Sequence, residues 1–267
     1  MKYNYLFIVL IGFMYNVCYT QQSHYIILQQ SQKNQSYTIR SSFPKDWIKT
    51  QWDLGYRITH VGFKKGEWFV VSEKKPTNQG QYYMLNPNNQ QIKDKLNDGY
   101  TIESICPYVH NNRIKSFYLF NKISVNPVSN SYFSGTPGYN KNILKRVKKG
   151  WDRGWLCKSA RSLTYNYKTI FSVLMPKERG NHKQIAEYRV DFPRDLINNK
   201  RSQGYILSSI TYDHYKKAWF VVMTKKAHNG TSWGNITTHW TWVNYKSQKD
   251  KFKDYFENKG YRIIGVF

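Results

Sequence analysis

Residues 43–72 read FPKDWIKTQWDLGYRITHVGFKKGEWFVVS, and residues 192–223 read FPRDLINNKRSQGYILSSITYDHYKKAWFVVM. Both stretches open on Phe-Pro-basic-Asp, run through a short helical segment to Gly-Tyr, alternate apolar and polar residues, and reach Trp-Phe-Val-Val after a basic turn. Pro44 and Pro193 suit a first helical turn, where the missing N–H has no intrahelical partner to lose. Asp46 and Asp195 fall near the positive end of that helix. Trp47, Ile48 and Trp52 give it an apolar stripe, and Gly55 and Gly204 fit the left-handed residue that closes it. The alternation that follows has the period of a half-buried strand.

Weaker copies fill the rest of the chain. Helix-ending glycines fall at Gly55, Gly99, Gly154, Gly204 and Gly260, roughly fifty residues apart. Tyrosine follows at Tyr56, Tyr100, Tyr205 and Tyr261, with Trp155 in the third copy. Second-strand runs are Trp68–Val71, Phe117–Phe120, Phe171–Leu174 and Trp219–Val222. A further strand precedes each later helix: Gln81–Leu85, Ser131–Ser134, Glu187–Asp191 and His239–Val243. Each unit thus reads strand, helix, strand, strand.

The last Gly-Tyr strand, from Gly260 to Phe267, has no second strand after it, whereas His24–Leu28 resembles a WFVV run with no unit before it. An N-terminal strand completing the last unit would leave no orphan edge. The expectation is an α+β repeat protein: a closed five-fold α/β propeller-like ring forming a single domain over residues 21–267. An open solenoid of the same units is the alternative.

Residues 1–20 carry Lys2, the apolar run Leu6–Met14 and small residues at Cys18 and Thr20, the layout of a secretory signal peptide. The expected location is secreted or extracytoplasmic, periplasmic in a bacterium. No later stretch is apolar enough to span a bilayer. Two cysteines follow residue 20, Cys106 and Cys157, and are read either as one disulfide or as buried thiols.

The charge is lopsided, with 41 Lys and Arg against 16 Asp and Glu. Such an excess sets up a positive field that favours anionic polysaccharide, an anionic surface, a protein partner or extracellular nucleic acid. The densest cluster is Lys145, Arg146, Lys148 and Lys149; Lys216 and Lys217 form another. Trp233, in a Gly/Asn-rich stretch, is a candidate for stacking on a ligand. Asn34, Asn229 and Asn235 head N-glycosylation sequons.

The string Phe43–Lys49, then Trp52–Thr59, then Trp68–Ser72, resembles a tandem-repeat family of unknown function. That family is found beside caspase-like peptidase domains in bacteria and C-terminal to some plant casein-kinase-like kinases. The resemblance implies an accessory module without catalytic residues of its own.

No nucleophile elbow, glycine-rich phosphate loop or metal-ligand spacing occurs, so no catalytic residue, metal site or cofactor is assigned. The function expected is a non-catalytic binding module with a basic, aromatic-rich surface. Thr59, His60, Glu103, Ser208 and Ser209, on first strands that would end near a shared central opening, belong to this binding reading; a hydrolase with an unrecognised site in the central opening is the alternative, as is a structural outer-layer protein.

Overall fold

A computed structural model of the chain describes residues 25–30, 34–75, 80–122, 132–134, 138–139, 143–165, 168–176, 182–213, 216–225, 240–244 and 248–266. The strand–helix–strand–strand unit is realised five times in this β-rich molecule. Unit one is β2 (Gln35–Arg40), α1 (Lys45–Asp53), β3 (Tyr56–Lys64) and β4 (Glu67–Lys74). Unit two is β5 (Gln81–Leu85), α2 (Asn89–Asn97), β6 (Tyr100–His110) and β7 (Arg113–Lys122). Unit three is β8 (Tyr132–Ser134), the short β9 (Gly138–Tyr139), α3 (Ile143–Trp151), β10 (Ser159–Tyr165) and β11 (Lys168–Pro176). Unit four is β12 (Lys183–Arg189), α4 (Arg194–Ser202), β13 (Ile206–Asp213) and β14 (Ala218–Lys225). Unit five is β15 (Trp240–Asn244), α5 (Lys249–Lys253), which continues as a π-helical turn over Asp254–Asn258, and β16 (Tyr261–Val266).

Each unit forms one small antiparallel sheet, with the Trp-Phe-Val-Val strand or its counterpart in the middle. The strand orders are β2-β4-β3, β5-β7-β6, β8-β11-β10 with β9 also on β11, and β12-β14-β13. In the fifth sheet the middle strand is β1 (Tyr25–Gln30), which lies antiparallel between β15 and β16. The N-terminal strand therefore completes the last unit, as its residue pattern indicates.

Local chemistry accounts for the unit. The five helix-closing glycines, Gly55, Gly99, Gly154, Gly204 and Gly260, all have positive φ, from +66° to +84°. A side chain at these positions would be strained, which is why glycine punctuates every copy. Pro44 and Pro193 sit one residue earlier than the first helical turn, at the cap, and their carbonyls accept from the Ile48 and Ile197 amides. Phe43 meets Trp68 edge-to-face at 5.0 Å, and Phe192 meets Trp219 the same way at 5.1 Å. This contact ties the Phe-Pro start to the strand-two Trp, and the second and third units lack both partners. One strand differs from the sequence reading: β12 spans Lys183–Arg189, not Glu187–Asp191. Val190, 76% exposed, has already left the sheet toward Phe192-Pro193.

Successive sheets pack face to face. Ile26, Leu28 and Ile263 of the last sheet meet Phe69 and Val71 of the first. The other face of the first sheet, with Val61, Trp68 and Val70, packs on Cys106, Phe117 and Leu119 of the second, and Ile48 of α1 joins them. Ile105, Tyr118 and Phe120 meet Leu174 of the third sheet, whose Phe171 and Val173 meet Phe220 and Val222 of the fourth. The Gly-Tyr strands lie side by side in the order β16, β3, β6, β10, β13.

Candidate functional site

Every Gly-Tyr strand is an edge of its sheet, so its outward N–H and C=O groups have no strand partner. Buried and unpaired, they would be costly. In three seams a glutamine from the next sheet fills the gap. Gln81 accepts from the Ile58 amide at 2.8 Å and donates to the Ile58 carbonyl at 3.0 Å. Gln184 does the same to Cys157, at 2.8 and 2.9 Å, and Gln35 to Ile263, at 2.8 and 3.1 Å. A primary amide carries the same donor and acceptor as a peptide group, which is why glutamine can stand in for a strand. Trp52 and Trp151, at the ends of α1 and α3, donate to Gln81 and Gln184 at 2.9 and 2.6 Å. In the β10–β13 seam hydroxyls take this part: Ser209 Oγ accepts from the Ala160 amide at 2.8 Å, and Thr211 Oγ1 from the Ser162 amide at 3.0 Å.

The Gly-Tyr strands also bulge, in β3 one residue past the clamped Ile58. Thr59, Glu103 and Ser208 are the extra residues, each three after its Gly-Tyr tyrosine. A bulge re-aims its side chain. Glu103 receives Lys158 Nζ from the neighbouring unit at 2.8 Å and the Asn121 amide at 3.1 Å.

The same end of three sheets carries a repeated cation–aromatic pair. Lys74 Nζ lies 5.3 Å from the Tyr56 ring centroid. Lys95 and Lys122 lie 5.2 and 5.8 Å from that of Tyr100, and Lys200 and Lys225 5.7 and 5.9 Å from that of Tyr205. Lys74, Lys122 and Lys225 end the middle strands of three sheets and are exposed, while the tyrosines are half-buried. Lys74 also donates to the Leu54 carbonyl at the end of α1, at 2.8 Å. Between units three and four this edge opens into a cleft of about 440 Å³ lined by Trp151, Gly154, Leu156, His182, Lys183, Gln184 and Tyr205. Flat rings at its wall and lysines at its rim suit a ligand that both stacks and carries negative charge.

Residues 16–115 match the family model of a domain of unknown function, DUF7477. The match takes in β1, the whole first unit and the second as far as the start of β7. It therefore includes Gln35, the whole Gln81 clamp and the Tyr56–Lys74 pair. No curated protein matches the chain.

The basic residues singled out in the sequence divide between two places. Lys145, Arg146, Lys148 and Lys149 are all exposed on α3, whose other side buries Ile143 and Val147. Lys148 and Lys149 lie in its last turn, where the helix dipole favours cations, and Trp151 of the cleft follows directly. Lys216 and Lys217 are exposed in the β13–β14 hairpin, at the far end of their sheet from Tyr205. There Lys216 Nζ sits 4.0 Å over the Tyr188 ring, and Tyr188 Oη donates to Asp213 at 3.1 Å. Burial, with the Asp213 carboxylate adding to it, pushes the Tyr188 hydroxyl pKa up. The two clusters thus do not form one site. Asn34 is exposed just ahead of β2 and accepts from Tyr56 Oη at 3.1 Å. Trp233, Asn229, Asn235 and residues 1–20 lie outside the described residues.

Cys106 and Cys157 are free and buried in different clusters, so the disulfide reading gives way to that of two core thiols. Burial pushes their pKa values up to about 11 and about 12. At neutral pH, a thiol probe will label the native protein at least about 100-fold more slowly than the unfolded chain, because both thiolate and access are missing. Rapid labelling of the native state would show that one of them is reactive. His60 Nδ1 is 3.1 Å from Thr59 Oγ1, and Ser208 Oγ is 2.5 Å from Thr224 Oγ1. Among the described residues no three His, Cys, Asp or Glu side chains converge, and no helix is long and apolar enough to cross a membrane.

Proposed function

We propose that the chain is a secreted, non-catalytic binding module that takes an anionic polysaccharide along the edge where its helices end. The observation that carries this reading is the recurrence of one lysine–tyrosine arrangement, Tyr56 with Lys74, Tyr100 with Lys122 and Tyr205 with Lys225, at the same place in three units. Repetition of one arrangement suits a repeating polymer better than a single small ligand, because several sugar units can each meet an equivalent stacking ring and cation. The exposed face of α3, with Lys145, Arg146, Lys148 and Lys149, extends the positive field beside the cleft at Trp151 and Tyr205. The leader-like pattern of residues 1–20 supports a location outside the cytoplasm.

The proposal includes a closed five-fold ring. The side-by-side order of β16, β3, β6, β10 and β13 supports it, as does β1 seated in the last sheet. Closure needs β13 to approach β16. An experimental structure with β13 and β16 at opposite ends of an open array would overturn it.

The binding test is a titration with heparin and with an uncharged glucan at two salt concentrations. Heparin should bind and the glucan should not, with part of the affinity surviving moderate salt through stacking. Replacing Lys145, Arg146, Lys148 and Lys149 by Gln should weaken heparin binding about tenfold or more and flatten its salt dependence. Equal binding to every polyanion, all lost together in salt, would show generic charge attraction and remove the polysaccharide reading.

A further inference from the structure

The cleft between units three and four differs from the other glutamine-clamped seams in two ways. Trp52, Gly55, Arg57, Ile58 and Gln81 of the first seam correspond to Trp151, Gly154, Leu156, Cys157 and Gln184 here, because in both the glutamine clamps the residue three past the glycine. The fifth unit places Arg262 at the same point, two past Gly260 and one before the clamped Ile263. Both arginines fold back along their own strand: Arg57 Nη1 donates to the Tyr56 carbonyl and Arg262 Nη1 to the Tyr261 carbonyl, each at 2.8 Å. Arg262 Nη1 also donates to the Phe256 carbonyl at 3.1 Å, and its guanidinium lies 5.3 Å from the Phe256 ring centroid. Leu156 is shorter and has no donor to hold it there, and beside it the cleft of about 440 Å³ lies open. That volume falls among small-ligand sites, which span about 300–1,000 Å³.

The second difference is a charge. Lys183, just ahead of the clamping Gln184, is the direct cross-strand partner of Lys225. At that place the first unit has Asn34, whose carbonyl accepts from the Lys74 amide, and the second has Gly80, whose carbonyl accepts from the Lys122 amide. Two lysines directly opposite repel each other. Both are exposed, and among the described residues none that lines the cleft is acidic. The Gln184 amide is already spent on Cys157, Trp151 and Thr224. What the cleft offers a ligand is therefore two half-buried rings, Trp151 and Tyr205, an aliphatic side chain and a pair of ammonium groups.

We infer that this cleft is the anchoring subsite of the module and takes one anionic pyranose residue, its ring against Trp151 and Tyr205 and its carboxylate or sulfate on Lys183 and Lys225. The inference rests on the polysaccharide reading above and deepens it. Leu156 decides which seam admits a sugar ring, because an arginine fills that place in the first and fifth units. A bound anion would also offset the repulsion between the two lysines.

The test is calorimetric titration of the full chain with a heparin tetrasaccharide, too short to reach several units, and with tetragalacturonate, which carries carboxylate alone. Wild type should bind a single heparin tetrasaccharide. Leu156→Arg should bind it about tenfold more weakly although the substitution adds a positive charge. Arginine stands at that place in two other units, so this variant should fold. Should it not, Tyr205→Leu should lose about tenfold, while Tyr56→Leu should lose less than about twofold. Binding of both tetrasaccharides would assign the lysine pair to carboxylate, and binding of the heparin fragment alone would assign it to sulfate. Binding by Leu156→Arg as tight as by wild type, or equal losses in the two tyrosine variants, would overturn the inference and leave the polysaccharide reading standing. So would a wild type that binds long heparin and neither tetrasaccharide. Failure of wild type to bind heparin of any length would overturn both.

Discussion

Deleting residues 25–30 should abolish the fifth sheet, because β1 is its middle strand and neither β15 nor β16 pairs with the other. The deletion also strips Ile26 and Leu28 from the cluster that joins the last sheet to Phe69 and Val71 of the first. Each of these side chains is fully buried, which is worth about 2–3 kcal/mol apiece in transfer free energy. A milder form is Leu28→Ala, expected to destabilise by about 2–5 kcal/mol, or on the order of 10 °C in Tm. Hydrogen exchange should then show β15, β16 and α5 losing protection before the second and third sheets do. Adding a peptide of residues 21–33 to the deleted chain should restore that protection, since strand pairing and two apolar side chains are all it must supply. Full protection of β16 in the deletion variant without the peptide would show that β1 is dispensable.

Gln184→Ala should cost about 2–4 kcal/mol, more than an alanine substitution of a half-buried polar residue ordinarily does. Three groups lose their partner at once, the Cys157 amide and carbonyl and Trp151 Nε1, and Thr224 Oγ1 is left with Ser208. Gln81→Ala should behave alike through Ile58, Trp52 and Asn121. The two clamps share no partner, so the double variant should lose close to the sum in denaturant unfolding. Losses under about 0.5 kcal/mol would mean that water replaces the amide and that the seams rest on apolar packing.

The proposed binding surface was only half legible in the sequence. Lys145, Arg146, Lys148 and Lys149 could be picked out because a dense charge cluster on an amphipathic helix has to face water. The lysine–tyrosine pairs could not. Tyr205 and Lys225 are twenty residues apart by number and adjacent only because β13 and β14 pair. Lys64 and Lys65 are adjacent in the sequence, yet a strand sends successive side chains to opposite faces: Lys64, still in β3, is buried and Lys65 is exposed.

The sequence by itself determined the unit. Glycine at each helix end, proline at two helix starts and the alternating runs constrain backbone angles over a few residues, and those constraints act wherever the chain is placed. It also determined that β1 belongs to the last unit, because five Gly-Tyr strands need five middle strands and only four follow them. Tertiary structure alone decided how the units are joined. Gln35 and Ile263 lie near opposite ends of the chain, and the clamp between them exists only once two sheets are side by side. It likewise decided that Cys106 and Cys157 stay apart as thiols. Such pairings depend on which edges become neighbours and which groups lose water, and no run of adjacent residues encodes that.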